Sequence, residues 1–201
     1  MRYVALGDSY TIGTGVRPAE RWPDQLVAAL GRAGSDSPGL DLVANLGVNG
    51  YTSADVIRDE MPAIADLRPD FVTLLIGVND VVQGVPPATY AANVRVILDA
   101  LLERLGAPGI VTVATPDYTV TPAGPDYGDP HQQHDAIVAA NDTMARLATE
   151  RGIDYVDTFD LSLLAASDRT LIADDGLHPS GAQYALWVER ILPVVAAVLA
   201  R

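Results

Sequence analysis

The chain of 201 residues contains no cysteine, and all 13 of its basic residues are arginine, so it contains no lysine either. The first absence excludes disulfides, thiolate nucleophiles and thiolate metal sites; the second excludes Schiff bases, a Ser-Lys dyad and the phosphate clamp of a P-loop. Chemistry is left to Ser, Thr, Tyr, His, Asp, Glu and Arg. Positive charge is also scarce: 26 acidic residues against 13 basic give a net charge of −13. Phosphates are repelled by such a surface, which argues against nucleic acid and anionic membranes as partners. Long hydrophobic runs are missing as well. The apolar stretch from Ile191 to Ala200 is interrupted by Pro193 and falls short of the roughly 20 residues a bilayer-spanning helix needs, so stable membrane insertion is not expected and the stretch reads as a packed helix end. The opening residues Met1 to Ser9 lack the apolar core of a secretory leader, and the expected compartment is the cytoplasm.

What the sequence has is 49 % hydrophobic residues arranged in a rhythm. Short apolar runs at Arg2–Leu6, Leu42–Leu46, Phe71–Ile76, Ile110–Ala114 and Asp154–Val156 read as buried parallel strands. Amphipathic stretches near Trp22–Gly31, Ala54–Leu67, Ala88–Leu105, Asp135–Arg151 and Gly181–Leu199 read as covering helices, with a short apolar segment at Leu161–Ala166. Thr52-Ser53, Pro86-Pro87 and the capping-box pair Ser180 and Gln183 mark helix starts. The fold class is α/β: a three-layer α/β/α sandwich on a five-stranded parallel sheet, with flavodoxin-like order 2-1-3-4-5 expected, in one domain spanning residues 1–201. One connection breaks the rhythm. Thr115–Gln133 carries four prolines and two glycines and is long enough to serve as a rim or lid, with Tyr118 and Tyr127 as candidate rim residues.

In an open parallel sheet, ligands bind beyond the carboxyl ends of the strands. The unusual polar residues collect at that edge: Gly7-Asp8-Ser9 after the first strand, Asn45 to Gly50 after the second, Gly77-Val78-Asn79-Asp80 after the third and Asp174-Asp175-Gly176-Leu177-His178 before the last helix. A serine hydroxyl needs a base within reach and a third group to fix the tautomer of that base. Of the three histidines, His131 and His134 lie in or beside the proline-rich loop, which leaves His178 as the base. Asp175 stands three residues before it, across a glycine that permits the loop to fold back. Taken alone, Asp175–His178 is equally a turn with a helix cap, Gly7-Asp8-Ser9 a strand-ending turn, Asn79-Asp80 a helix cap and Gly50 a turn glycine. Asp8 is given no chemical role.

Together, and in this order, these blocks resemble those of the GDSL or SGNH hydrolases, as does Arg21-Trp22-Pro23 between the first two. Tyr10 stands where the name-giving pattern has leucine, and Asn49 where serine is common. The resemblance implies hydrolysis of carboxylic esters or thioesters through an acyl-Ser9 intermediate, with Ser9, Asp175 and His178 catalytic. It also implies an oxyanion hole made of the Ser9 and Gly50 amides and the Asn79 side chain, and a small-molecule ester as partner; cofactor and metal are not expected. His131 and His134 lack a clear third ligand, and a divalent cation held by Asp8, Asp80, Asp174 and Asp175 would leave Ser9 and His178 unused. A flavodoxin-like FMN-binding electron carrier is the alternative, with residues 9–15 cradling the phosphate. A dinucleotide site fails because Pro18 falls where its third glycine belongs, and the G-x-S-x-G elbow fails at Thr11.

Overall fold

The computed structural model describes residues 1–32 and 39–201. Five parallel strands, β1 (Arg2–Gly7), β2 (Asp41–Asn45), β3 (Phe71–Leu75), β4 (Ile110–Val113) and β5 (Asp154–Val156), form one sheet in the order β2-β1-β3-β4-β5. That is the order expected from the sequence. The helices are α1 (Ser9–Ile12), α2 (Trp22–Arg32), α3 (Ser53–Asp55), α4 (Met61–Leu67), α5 (Val78–Val82), α6 (Pro87–Leu105), α7 (Pro130–Thr149), α8 (Phe159–Leu163) and α9 (Gly181–Leu199).

Side chains of a strand alternate between faces, and this sorts the core into two halves. Tyr3, Ala5, Phe71, Leu75, Val111 and Val113 pack with Trp22, Leu26, Trp187, Ile191 and Val195 of α2 and α9. Val4, Leu6, Val72, Leu74 and Ile110 pack on the other face with Ile64, Val94, Ile97, Leu101 and Met144 of α4, α6 and α7. These two halves make the three layers. α9 keeps Pro193 inside it and buries Tyr184, Trp187, Ile191, Val195 and Val198, so the apolar C-terminal run is a core face.

Three local expectations are corrected. The helix expected at Ala54–Leu67 is interrupted: between α3 and α4 lies a π-helical turn, Val56–Glu60. The helix expected from Asp135 begins at Pro130, because the Asp129 carboxylate accepts from Gln132 N–H at 3.0 Å and proline suits the first helical position. The long connection therefore ends at Asp129 rather than Gln133, and it contains a 3₁₀ turn at Gly124–Tyr127. At Ser180 only half of the capping box forms: Ser180 Oγ accepts from Gln183 N–H, while Ser180 N–H donates to Leu171 O at 2.8 Å and so has no need of the glutamine.

Candidate active site

The chain leaves β1 through Gly7, whose φ of +148° is a glycine conformation and whose added Cβ would stand 2.2 Å from Leu75 O. Asp8 then caps α1: its Oδ1 accepts from Tyr10 N–H at 2.9 Å and its carbonyl from Thr11 and Ile12. This is the turn-forming role the sequence assigns it. Ser9 follows as the first residue of α1, 7 % exposed and on the wall of a cavity of about 230 Å³. Its hydroxyl has no hydrogen-bond partner among the described residues.

His178 reaches the same cavity from the other end of the chain. Ile172 and Pro179 bridge in antiparallel fashion and Ala173 N–H donates to His178 O, so residues 172–179 form a small hairpin with Gly176 at φ +74° in its turn. Inside that turn the Asp175 carboxylate is held on three sides. Oδ1 accepts from the N–H groups of Leu177 and His178, each at 2.9 Å, and Oδ2 meets His178 Nδ1 at 2.7 Å. Burial pushes the Asp175 carboxyl up, but those hydrogen bonds outweigh it and hold the group below its ordinary range. With Nδ1 engaged, Nε2 is the free imidazole nitrogen. The Tyr10 ring packs against the imidazole, with centroids 5.4 Å apart. The tyrosine that replaces leucine in the first block is thus a wall of the base's pocket.

Two further residues from the sequence reading line the cavity, Gly50 and Asn79. Gly50 has φ +82°, and a Cβ there would meet open space, so the constraint at this position is conformational. Asn79 Nδ2 donates one hydrogen to Tyr51 O at 2.9 Å and retains a second. Asp80, next to it, is buried and accepts from both the N–H and the hydroxyl of Ser53, tying the start of α5 to the start of α3. The amides of Ser9 and Gly50 have no backbone acceptor among the described residues. Ser9, Gly50 and Asn79 therefore bring N–H groups not used up by described backbone acceptors from three loops to the lining of one cavity. Asn49, where serine is common, accepts from the Thr14 hydroxyl and also lines the cavity.

The remaining sequence candidates settle as follows. Tyr118 is only 3 % exposed and forms the cavity wall rather than its rim, edge-on to Tyr127, which is 42 % exposed and does stand at the rim. His131 is exposed on α7; His134 bonds through Nδ1 to the fully buried Asp117 at 2.6 Å and fastens the long loop to α7. Among the described residues no group of three or more His, Asp or Glu side chains could hold a metal ion. Residues 9–15 are a poor phosphate cradle: Tyr10, Thr11 and Ile12 donate to Asp8, and Gly13 and Thr14 donate to Ser9 O, so most of the amides the carrier reading needs are already taken.

Sequence reasoning missed Glu60. Its Oε2 accepts from Gly7 N–H at 2.9 Å, directly beneath the turn that carries Ser9. The signal was present, since Val56, Glu60 and Ile64 recur at helical spacing and a carboxyl group stands in an apolar stripe.

Asp8 and Glu60 give the fold a dependence on pH. Burial above all, and then mutual repulsion among acids, raises Asp8 from its ordinary 3.8 to about 7 and Glu60 from 4.5 to about 9. Both are neutral in the fold at acid pH and ionise more easily once unfolded. Their stabilisation is therefore fully present below about pH 4 and is lost as pH climbs through about 7 and about 9. Thermal melts should show Tm falling between pH 6 and 9.5, with a shallower fall in Asp8→Asn; equal slopes in the two proteins would contradict this account.

Comparison with known proteins identifies the family. Residues 5–186 match the model of the GDSL-like lipase/acylhydrolase family. An arylesterase of Vibrio mimicus is 24 % identical over 179 residues, covering 89 % of this chain and 80 % of that protein. Among solved structures, the psychrotrophic esterase EstA from Pseudoalteromonas sp. superposes with a TM-score of 0.74 at 18 % identity, covering 100 % of this chain and 99 % of the other. A lipase/acylhydrolase from Enterococcus faecalis reaches 0.77 at 18 % identity, covering 98 % and 96 %. At such identities the structural likeness speaks for the fold alone.

Proposed function

The chain belongs to the GDSL-like lipase/acylhydrolase family and hydrolyses ester bonds, and from that premise we infer that Ser9 is the nucleophile, His178 the general base and Asp175 the group that orients the base. The observation that carries this reading is the shared cavity. Ser9, whose hydroxyl has no hydrogen-bond partner among the described residues, and His178, whose Nδ1 is bound to Asp175, line the same small space although they stand 169 residues apart in sequence.

Ser9 Oγ bonds to the ester carbonyl carbon as its proton passes to His178 Nε2, and the carbonyl oxygen becomes an oxyanion. The N–H groups of Ser9 and Gly50 and the remaining Asn79 amide hydrogen are the donors available to it, and fixed donors of this kind stabilise developing charge without having to reorganise. Collapse expels the alcohol or thiol, which takes the proton from Nε2, and leaves acyl-Ser9. A water then gives a proton to Nε2 and attacks the acyl carbon; the second collapse frees the acid and returns the proton to Ser9 Oγ. Throughout, Asp175 keeps Nδ1 protonated and balances the imidazolium. Tyr10, Val78, Val82, Tyr118 and Leu177 give the cavity apolar walls, which favour small apolar groups on the substrate.

An organophosphonate ester tests the assignment, because its tetrahedral adduct occupies the place of the intermediate. One phosphonyl group should be found on the peptide containing Ser9 by mass spectrometry, with loss of p-nitrophenyl butyrate hydrolysis in the same proportion. Inactivation with the label on another residue would reject Ser9.

A further inference from the structure

Glu60 is 3 % exposed and stands at the end of the π-helical turn Val56–Glu60. Wide turns of this kind re-aim a side chain and recur at functional sites. Here the side chain aimed inward is an acid, and its Oε2 takes the Gly7 N–H. Gly7 joins β1 to Asp8 and Ser9, in a backbone conformation that other residues resist. Two carboxyl oxygens nearby, Glu60 Oε1 and Asp8 Oδ2, are buried without a hydrogen-bond partner. An ionised Glu60 would place an incompletely solvated charge beside a second acid, whereas the neutral carboxyl supplies the same acceptor to Gly7 at no such cost.

We propose that Glu60 is a positioning residue of the hydrolytic site: its carboxyl holds Gly7 N–H and, through Gly7, the turn that aims Ser9. The proposal rests on Ser9 being the nucleophile. The charged groups that bear on Glu60 are Asp8 from the turn after β1 and Asp59 and Asp55 from its own helical segment, all of one sign. Of the buried residues that β1 and α6 bring to this half of the core, Val4, Leu6, Val94 and Ile97 are apolar, and the titratable Tyr90 spends its hydroxyl hydrogen on Ile76 O. Burial, with those acids, raises the Glu60 carboxyl to about 9, so the anchor is neutral at neutral pH and ionises in alkaline solution.

The test measures kcat and KM for p-nitrophenyl butyrate from pH 6 to 10 in wild type, Glu60→Gln, Glu60→Ala and Ser9→Ala, with circular dichroism at each pH to restrict the comparison to folded protein. Glutamine keeps one acceptor and one donor in the place of the neutral carboxyl, so Glu60→Gln should match wild type within about twofold at pH 7.5. Wild type should lose about tenfold in kcat one pH unit above the midpoint of the Glu60 titration, and Glu60→Gln should not. Glu60→Ala should lose kcat with KM little changed. If that variant does not fold, the comparison of glutamine with wild type decides alone. An alkaline loss of the same size in Glu60→Gln and wild type overturns the proposal. Activity surviving in Ser9→Ala overturns the nucleophile assignment instead, so the two failures are distinct.

Discussion

Ser9→Ala is expected to lower kcat for p-nitrophenyl butyrate by about 10⁴-fold or more while KM moves little, the pattern left when the attacking atom of a triad is removed and the binding surface stays. The substitution deletes one oxygen that has no hydrogen-bond partner among the described residues, so the fold should not change, and Tm within a few degrees of wild type would confirm that. The amide of residue 9 survives in the variant, and so do Gly50 and Asn79. A remnant of catalysis over water should therefore persist, carried by the oxyanion donors alone. A Ser9→Ala protein with more than about a tenth of wild-type kcat would end the serine assignment.

The second large effect is expected from Asp175→Asn, at about 10⁴-fold in kcat, and it isolates the tautomer of His178. In the native turn Oδ1 is taken by the Leu177 and His178 amides, so only Oδ2 is free to meet Nδ1. The asparagine oxygen will stay with the two backbone donors, and its NH₂ group must then face Nδ1. Two donors cannot meet, so the imidazole shifts its proton to Nε2. That nitrogen is the one that should receive the Ser9 proton, and in the variant it is already occupied. Nitrogen-15 NMR of labelled imidazole should show the proton moved from Nδ1 to Nε2. A variant that keeps the native tautomer and most of its kcat would remove Asp175 from the mechanism.

How far the sequence foretold this site depends on the kind of signal each residue gives. Strand order and the convergence of Ser9, Gly50, Asn79 and His178 were legible because apolar runs, turn residues and the rules for parallel sheets all act locally and agree. Asp175 was legible because its partner lies three residues away. Pro130 was misread for a definable reason: proline marks both loops and first helical turns, and only the Asp129 cap distinguishes them. The π-helical turn had no sequence mark, since its extra residue keeps the apolar stripe almost in register. The contact between Glu60 and Gly7 spans 53 positions and depends on that turn. The bond between His134 and Asp117 was hidden likewise, because it depends on where the long loop returns to α7.

The nucleophile and its base stand on supports of different strength. Ser9 follows β1, a central strand paired on both sides. Asp175 and His178 ride on a hairpin outside the sheet, joined to the rim loop through the bond from Ala123 N–H to Gly176 O and anchored at its base near Thr170 and Leu171. Local opening of that peripheral clip needs only a few hydrogen bonds to break, far fewer than melting the sheet. Warming should therefore silence the protein while its layers are still assembled, and cooling should bring it back, because all that has to re-form is one short turn.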